Sequence, residues 1–535
     1  MSILSFQFAA FLLVTFLVYF LTPGRHQWKS LLLLSCCFYL FAGAKAAIFV
    51  LVTSVSTFFA GRWMGRINAE FDVAVANYSG PNPKMTRAEK KALKAAEDKR
   101  KKKILVLALL LNFGILFALK YVDVLVDSVN LLGRLFHTGY EMPRLSFIVP
   151  LGISYYTFQA MGYLIDLYRR KGEPERSYPR FLLFIIFFPQ LVQGPINRFD
   201  EFSPQLYQPH PFDGKRVWHG VELIFWGLFK KLVLADRVSI IVSTVFGSPD
   251  AYPGFYLIFA TILSELQLYM DFSGGIDMTR GVAEALGIIM PENFTRPFFA
   301  RDVGEFWRRW HITLNNWWRD YIFYPINLSK PFARFGKLTK RLFGDDFGKK
   351  VPIFFSMIFI RLLNSIWHGA TSVSVLSGFY YGILLVLALA LDNQIDGLTK
   401  KLGINTECLT WRVFQRVRTF LLIAAPRLVI MSTSLSQAGT YIRNAFGEWN
   451  PWVLFDGSLC RLGVSEPQLN AVLLGFALVL IVSCLQEKGY VVREELDKQN
   501  LVFRGLIYIA FVTAIILLGA YGSGYNASAF VYQQV

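Results

Sequence analysis

Two segments of the chain set a histidine beside tryptophan in apolar surroundings. EFWRRWHITLNNWWRDYIFYP holds His311, and LNSIWHGATSVSVLSGFYYG holds His368. An imidazole titrates near neutrality, so it can take a proton from a hydroxyl and return it to a leaving group. The neighbours of His368 (Ile366, Trp367, Gly369) offer it no charged partner. At membrane depth a charged group costs roughly 2.5 kcal/mol or more, so such a residue faces a cavity and does chemistry. The competing reading, a core histidine bonded to a backbone carbonyl, loses ground for the same reason. For His311 the competing reading is a hydrogen-bonded histidine packed between tryptophans, and spacing alone does not separate it from a site role.

If residues 303–319 form one helix, Trp307, His311 and Asn315 share a face at i, i+4 and i+8, while Arg308, Arg309 and Arg319 spread around the others. Those arginines suit an anionic group such as a phosphate, or else simple anchoring at a membrane interface. Asn364 lies one turn before His368 and would orient the imidazole or polarise a carbonyl. A metal is not expected: none of the six histidines has ligand spacing with another, and the five cysteines form neither a zinc pattern nor a disulfide framework. No nucleotide, GxSxG or HExxH motif is present. The glycines of DFSGGIDM and LVQGPINR read as tight helix packing rather than phosphate cradles.

The elements that must position these residues are membrane helices. Hydrophobic residues make up 54% of the 535 positions and charged ones only 17%, outside the range of soluble domains. Apolar stretches recur near residues 3–22, 28–43, 46–65, 104–122, 145–168, 216–234, 252–271, 352–367, 373–392, 417–434, 470–486 and 503–522. Residues 3–21 read as a first membrane helix, since no basic region or small-residue cleavage site marks a signal peptide. Residues 179–193 and 303–325 are interrupted by proline or charge and read as re-entrant or cavity-lining pieces.

The net charge of +18 sits in loops: residues 66–103 carry eleven Lys/Arg against five acids, and residues 330–350 seven against two. Such loops follow the positive-inside rule and suit anionic lipid head groups, not nucleic acid. This predicts cytoplasmic placement for them and for residues 400–418 and 488–504, with both termini extracytoplasmic and His368 toward the outer half. The expected organisation is N-terminal membrane helices over 1–66, a cytoplasmic basic helical insert over 67–103, a core over 104–392, C-terminal membrane helices over 393–522 and an extracytoplasmic tail over 523–535.

FFPQLVQGPINRFDEF, DFSGGIDM, PENFTRPF, EFWRRWHITLNNWWRDYIFYPI and NSIWHGATSVSVLSGFYYG, in this order, resemble the bacterial branch of the membrane-bound O-acyltransferase (MBOAT) family, the branch of alginate and peptidoglycan O-acetylation and teichoic-acid D-alanylation. The motifs cover roughly residues 145–385. The resemblance implies an all-α polytopic fold, a ring of about 11–13 membrane helices with re-entrant core helices and a funnel or tunnel from a cytoplasmic donor to an outside acceptor. It places the catalytic histidine on His368 and the second motif histidine on His311. It also implies that Tyr532, in the ending AFVYQQV, carries the acyl group outward, although Gln533, Gln534 and Val535 depart from the Phe-rich ending of the pattern.

The implied reaction is transfer of an acyl group, acetyl first, from acetyl-CoA or an acyl carrier protein thioester to hydroxyls of a cell-wall or extracellular polysaccharide. An extracytoplasmic SGNH-type esterase-like partner is implied too, and no tightly bound cofactor. The alternatives are D-alanyl transfer to teichoic acid, a transporter or flippase of a lipid or glycan built on the same broken helices, and a scaffold that recruits an outside transferase.

Overall fold

A backbone without water must bond to itself, so long apolar runs fold as helices. The computed structural model describes residues 3–77, 86–137, 141–144, 147 and 149–521. Among these, the regular elements are helices, apart from one isolated bridge between Phe294 and Trp310. The chain divides into two compact units: residues 1–217 with 282–291, and residues 218–281 with 292–535.

The first unit holds α1 (Phe6–Leu21), α2 (Gln27–Gly43), α3 (Ala47–Asn77), α4 (Arg87–Leu135), α5 (Ile153–Tyr168), α6 (Tyr178–Ile186), α7 (Phe188–Gln193), α8 (Phe199–Tyr207) and the start of α9 (Gly214–Leu228). The apolar run 179–193 is indeed interrupted. It breaks at Phe187, and Pro189 opens α7, where a missing N–H is harmless. The described parts of the basic insert are helical as expected, and its arms are continuous with the apolar parts of α3 and α4, so the boundaries near 66 and 103 fall inside helices. Residues 78–85 lie outside the described residues. One face of the α4 arm is buried, where Glu97 accepts from Lys101 at 2.6 Å and Arg170 at 2.9 Å.

In the second unit α9 passes through a π-helical turn, Phe229–Ala235, into α10 (Asp236–Gly247), and α11 (Phe255–Ala285) packs against it. A Cβ on Gly274 would lie 2.8 Å from the Gly227 carbonyl oxygen, so DFSGGIDM is a packing motif as expected. The π-turn places two buried lysines against α11 carboxylates, Lys230 on Asp277 and Lys231 on Asp271, each at 2.5 Å. Then come α12 (Val303–Arg309), α13 (Ile312–Trp318), α14 (Tyr324–Asn327), α15 (Lys330–Gly348), α16 (Val351–His368), α17 (Ser372–Lys401), α18 (Leu409–Ala424), α19 (Arg427–Ile430), α20 (Leu435–Gly447), α21 (Glu466–Glu487), α22 (Val492–Asp497) and α23 (Leu501–Leu518).

Seven helical stretches among the described residues are long and apolar enough to cross a membrane: Gly24–Asn77 (which includes α2 and α3), Arg87–Leu135, Phe255–Ala285, Val351–His368, Ser372–Lys401, Glu466–Glu487 and Leu501–Leu518. The protein is an all-α, multi-pass membrane protein. Two expected spans differ: residues 417–434 are not one helix, because Pro426 separates α18 from α19, and the helix expected over 145–168 begins only at Ile153, after a left-handed Gly152.

Candidate active site

Helix α16 carries His368 as its last residue, and the Gly369 N–H closes its final turn on the Ser365 carbonyl at 3.1 Å. Pro352 in its first turn costs no hydrogen bond. Arg361, Asn364 and His368 stand at i, i+3 and i+7, so one helix face presents all three. Helix α17 returns along α16 at close range. A Cβ on Gly378 would lie 2.9 Å from Ser365 Oγ, and one on Gly382 would lie 2.9 Å from Ile358 Cα.

His311 does not sit within a helix. The expected helix over 303–319 breaks between Arg309 and Ile312, and His311 takes a left-handed conformation, φ 44° and ψ 53°. The single face at i, i+4 and i+8 is therefore not formed. The preceding loop is the cause: Thr295 N–H donates to the Arg309 carbonyl at 3.0 Å and Ile312 N–H to the Asn293 carbonyl at 3.0 Å, which diverts backbone groups a continuous helix would use. Asn315 mends the break. Its Nδ2 donates to the carbonyls of Trp310 at 2.6 Å, Trp307 at 3.1 Å and His311 at 3.3 Å, so Trp307, His311 and Asn315 meet by another route.

The His311 ring is 3% exposed and meets Phe272 edge to face at 4.9 Å. Its Nδ1 lies 3.2 Å from Asn293 Oδ1, which also accepts from Thr313 N–H at 3.1 Å and Thr313 Oγ1 at 2.9 Å. A backbone N–H can only donate, so the amide oxygen must face this cluster and Nδ1 carries the imidazole proton. Nε2 is then the basic nitrogen of the neutral ring.

His311 and His368 come from segments far apart in the chain that the fold joins. Two hydrogen bonds tie their elements together. Arg361 Nη2 donates to Asn315 Oδ1 at 2.9 Å, and Trp318 Nε1 donates to Asn364 Oδ1 at 3.2 Å. The second bond engages the Asn364 oxygen and leaves the NH2 end of the amide as its donor. Arg361 also lies over the Trp307 ring at 4.1 Å, and Trp307 meets Tyr381 of α17 edge to face at 5.2 Å.

Of the arginines expected on the donor side, Arg309 is held by Glu487 and Glu305, each at 2.8 Å, Arg319 bonds Asp320 at 2.9 Å, and Arg308 is exposed. None of these carries the site's guanidinium. That group is Arg361, which sequence reasoning passed over; the available signal was a lone charge in an apolar run, in helical register with Asn364 and His368. Tyr532 lies outside the described residues.

Residues 174–434 match the family model of the membrane-bound O-acyltransferases. The chain is 30% identical over 365 residues to a probable alginate O-acetylase of Pseudomonas syringae pv. tomato, an alignment covering 68% of this chain and 64% of the relative. It is 29% identical over 307 residues to a peptidoglycan O-acetyltransferase of Helicobacter pylori, covering 52% of this chain and 54% of the relative. To a teichoic acid D-alanyltransferase of Streptococcus thermophilus it is 29% identical over 245 residues, covering 44% and 56%. The matched stretches thus span under two thirds of the length of each of these relatives. The family match covers both histidine-bearing segments, and residues 174–434 carry the domain of the membrane-bound O-acyltransferase family.

Proposed function

We propose that this protein moves an acyl group, acetyl first, from a cytoplasmic thioester to hydroxyls of a cell-wall or extracellular polysaccharide. The observation that carries the reading is the cross-bracing of the two histidine-bearing segments, by Asn315 with Arg361 and by Trp318 with Asn364. The names of the relatives, acetylases of alginate and of peptidoglycan, support the acceptor class.

A neutral His368 would take the proton of the attacking hydroxyl as its oxygen bonds to the thioester carbonyl. The tetrahedral intermediate then collapses, the C–S bond breaks, and the leaving thiolate takes that proton back from the imidazolium. Asn364, oriented by the Trp318 indole, would donate its NH2 to the developing oxyanion. His311, fixed by Asn293, would offer its Nε2 on the donor side.

Tyr532 is the proposed first acceptor. A phenol ionises at a pKa of about 10 and needs a base within hydrogen-bond reach, a role suited to His368. The aryl ester so formed would pass its acyl group to the polysaccharide outside, through an SGNH-type esterase-like partner. The donor is acetyl-CoA or an acyl carrier protein thioester; D-alanine in place of acetyl would mark the teichoic-acid variant named among the relatives.

The test is the full chain in lipid vesicles with labelled acetyl-CoA. Label in an alkali-labile ester, on the peptide holding Tyr532 or on added polysaccharide, and its loss in His368→Ala are the expected results. Transport of a lipid or glycan across the vesicle with no ester formed would overturn the reading in favour of a flippase.

A further inference from the structure

Two buried hydrogen-bond donors at the site, Arg361 Nη1 and Trp307 Nε1, find no acceptor among the described residues. Leaving buried donors unanswered is costly, most of all on a charged group. Neither group can accept a hydrogen bond, so whatever satisfies them must present an acceptor atom, most commonly oxygen. Both are held in place. The guanidinium lies over the indole at 4.1 Å with Nη2 on Asn315 Oδ1, and Asn315 is itself anchored to three carbonyls.

Position narrows the choice of oxygen. Seven residues of α16 separate Arg361 from His368, an axial distance of about 10 Å. Arg361 precedes His368 on a helix that emerges from the basic residues of 330–350, the side from which a cytoplasmic donor arrives. With the thioester carbonyl at His368, both amide carbonyls of an extended pantetheine arm fall within about 10 Å of the sulfur, whereas its phosphate lies beyond them. A lone guanidinium stacked on an indole suits a neutral carbonyl. Phosphate recognition would call for further cations, and nearby Arg309 and Arg319 are committed to carboxylates.

We propose that Arg361, backed by Trp307, binds an amide carbonyl of the donor's pantetheine arm and makes the enzyme selective for thioesters that carry that arm. This rests on the acyl-transfer reading above. Coenzyme A and a carrier protein share the arm, so the site serves either source.

The experiment compares kcat/KM of the full chain in vesicles with three donors: acetyl-CoA, an acetylated phosphopantetheine carrier protein, and ethyl thioacetate, which has no amide. Arg361→Met should lower kcat/KM about 10- to 100-fold more on whichever arm-bearing donor the wild type uses than on ethyl thioacetate, whose own loss reports the broken brace to Asn315. Arg361→Lys should fall between. A second arm needs no variant: acetyl-pantetheine with its amide groups replaced by neutral trans-alkenes should lose the same factor on the wild type. Equal losses on ethyl thioacetate, or a wild type indifferent to the carbonyls, overturn the proposal. A wild type that transfers from no thioester at all would instead sink the acyltransfer reading itself.

Discussion

His311 and His368 share a neighbourhood but not a setting, and the difference predicts how each fails. His368 ends its helix and is only partly buried, so His368→Ala should leave the melting temperature nearly unchanged while lowering acyl transfer by about 10²- to 10⁴-fold. His311 is locked through Asn293, whose Oδ1 collects three donors. Asn293→Ala would strand a backbone N–H and release the imidazole, costing about 1–3 kcal/mol in detergent melts and lowering activity as well. The histidines were legible from the sequence because an imidazole in an apolar run stands out. Asn293 was not, since it lies eighteen residues before His311 with no periodicity linking them. Arg361 was missed for a related reason. Arg308, Arg309 and Arg319 cluster beside His311 in the sequence, yet packing assigns Arg309 and Arg319 to carboxylates and brings the isolated arginine to the site.

Helices at the element scale follow from apolar runs almost directly; the breaks within them do not. Nothing local in RRWHITLN announces a left-handed residue, because the force that interrupts the helix is pairing with the loop around Asn293 and Phe294. The conformation at 311 gives a clean separation of backbone from chemistry. Asparagine tolerates left-handed geometry and a β-branched residue does not, so His311→Asn should fold and insert normally but lose activity, while His311→Val should also lower the yield of folded protein. Yield and melting in detergent, set beside transfer rate, distinguish the two. The α9–α11 contact makes a purely structural counterpart. Gly274→Val would drive its Cβ toward the Gly227 carbonyl, now 2.8 Å from an ideal Cβ, and should cost about 1–3 kcal/mol by overpacking.

For the whole molecule, the proposed transfer sets donor and acceptor on opposite sides, so the number of crossings after His368 matters. Basic residues of 400–418 and 488–504 argue that both ends of the stretch from α18 to α21 face the cytoplasm. Helix α21 then starts outside, and the chain must cross between residue 418 and residue 465. No helix there meets the length and apolarity of a full span among the described residues. The crossing would have to be made by α18 and α19 together, with the break at Pro426 and the buried Arg427 sheltered by protein. Such a break is tolerable because Arg427 finds Ser264 at 3.3 Å and Glu265 at 3.9 Å on α11, rather than lipid. Native cysteines bracket the question: Cys408 caps the start of α18 and Cys460 follows α20, both half-buried. In spheroplasts, a membrane-impermeant maleimide should label a variant keeping only Cys460, and should label one keeping only Cys408 only after permeabilisation. Labelling of both from the same side would mean that α18 and α19 turn back without crossing. The count of spans would then put α21 and α23 in the opposite sense, and the route of the acyl group would have to be redrawn from that side.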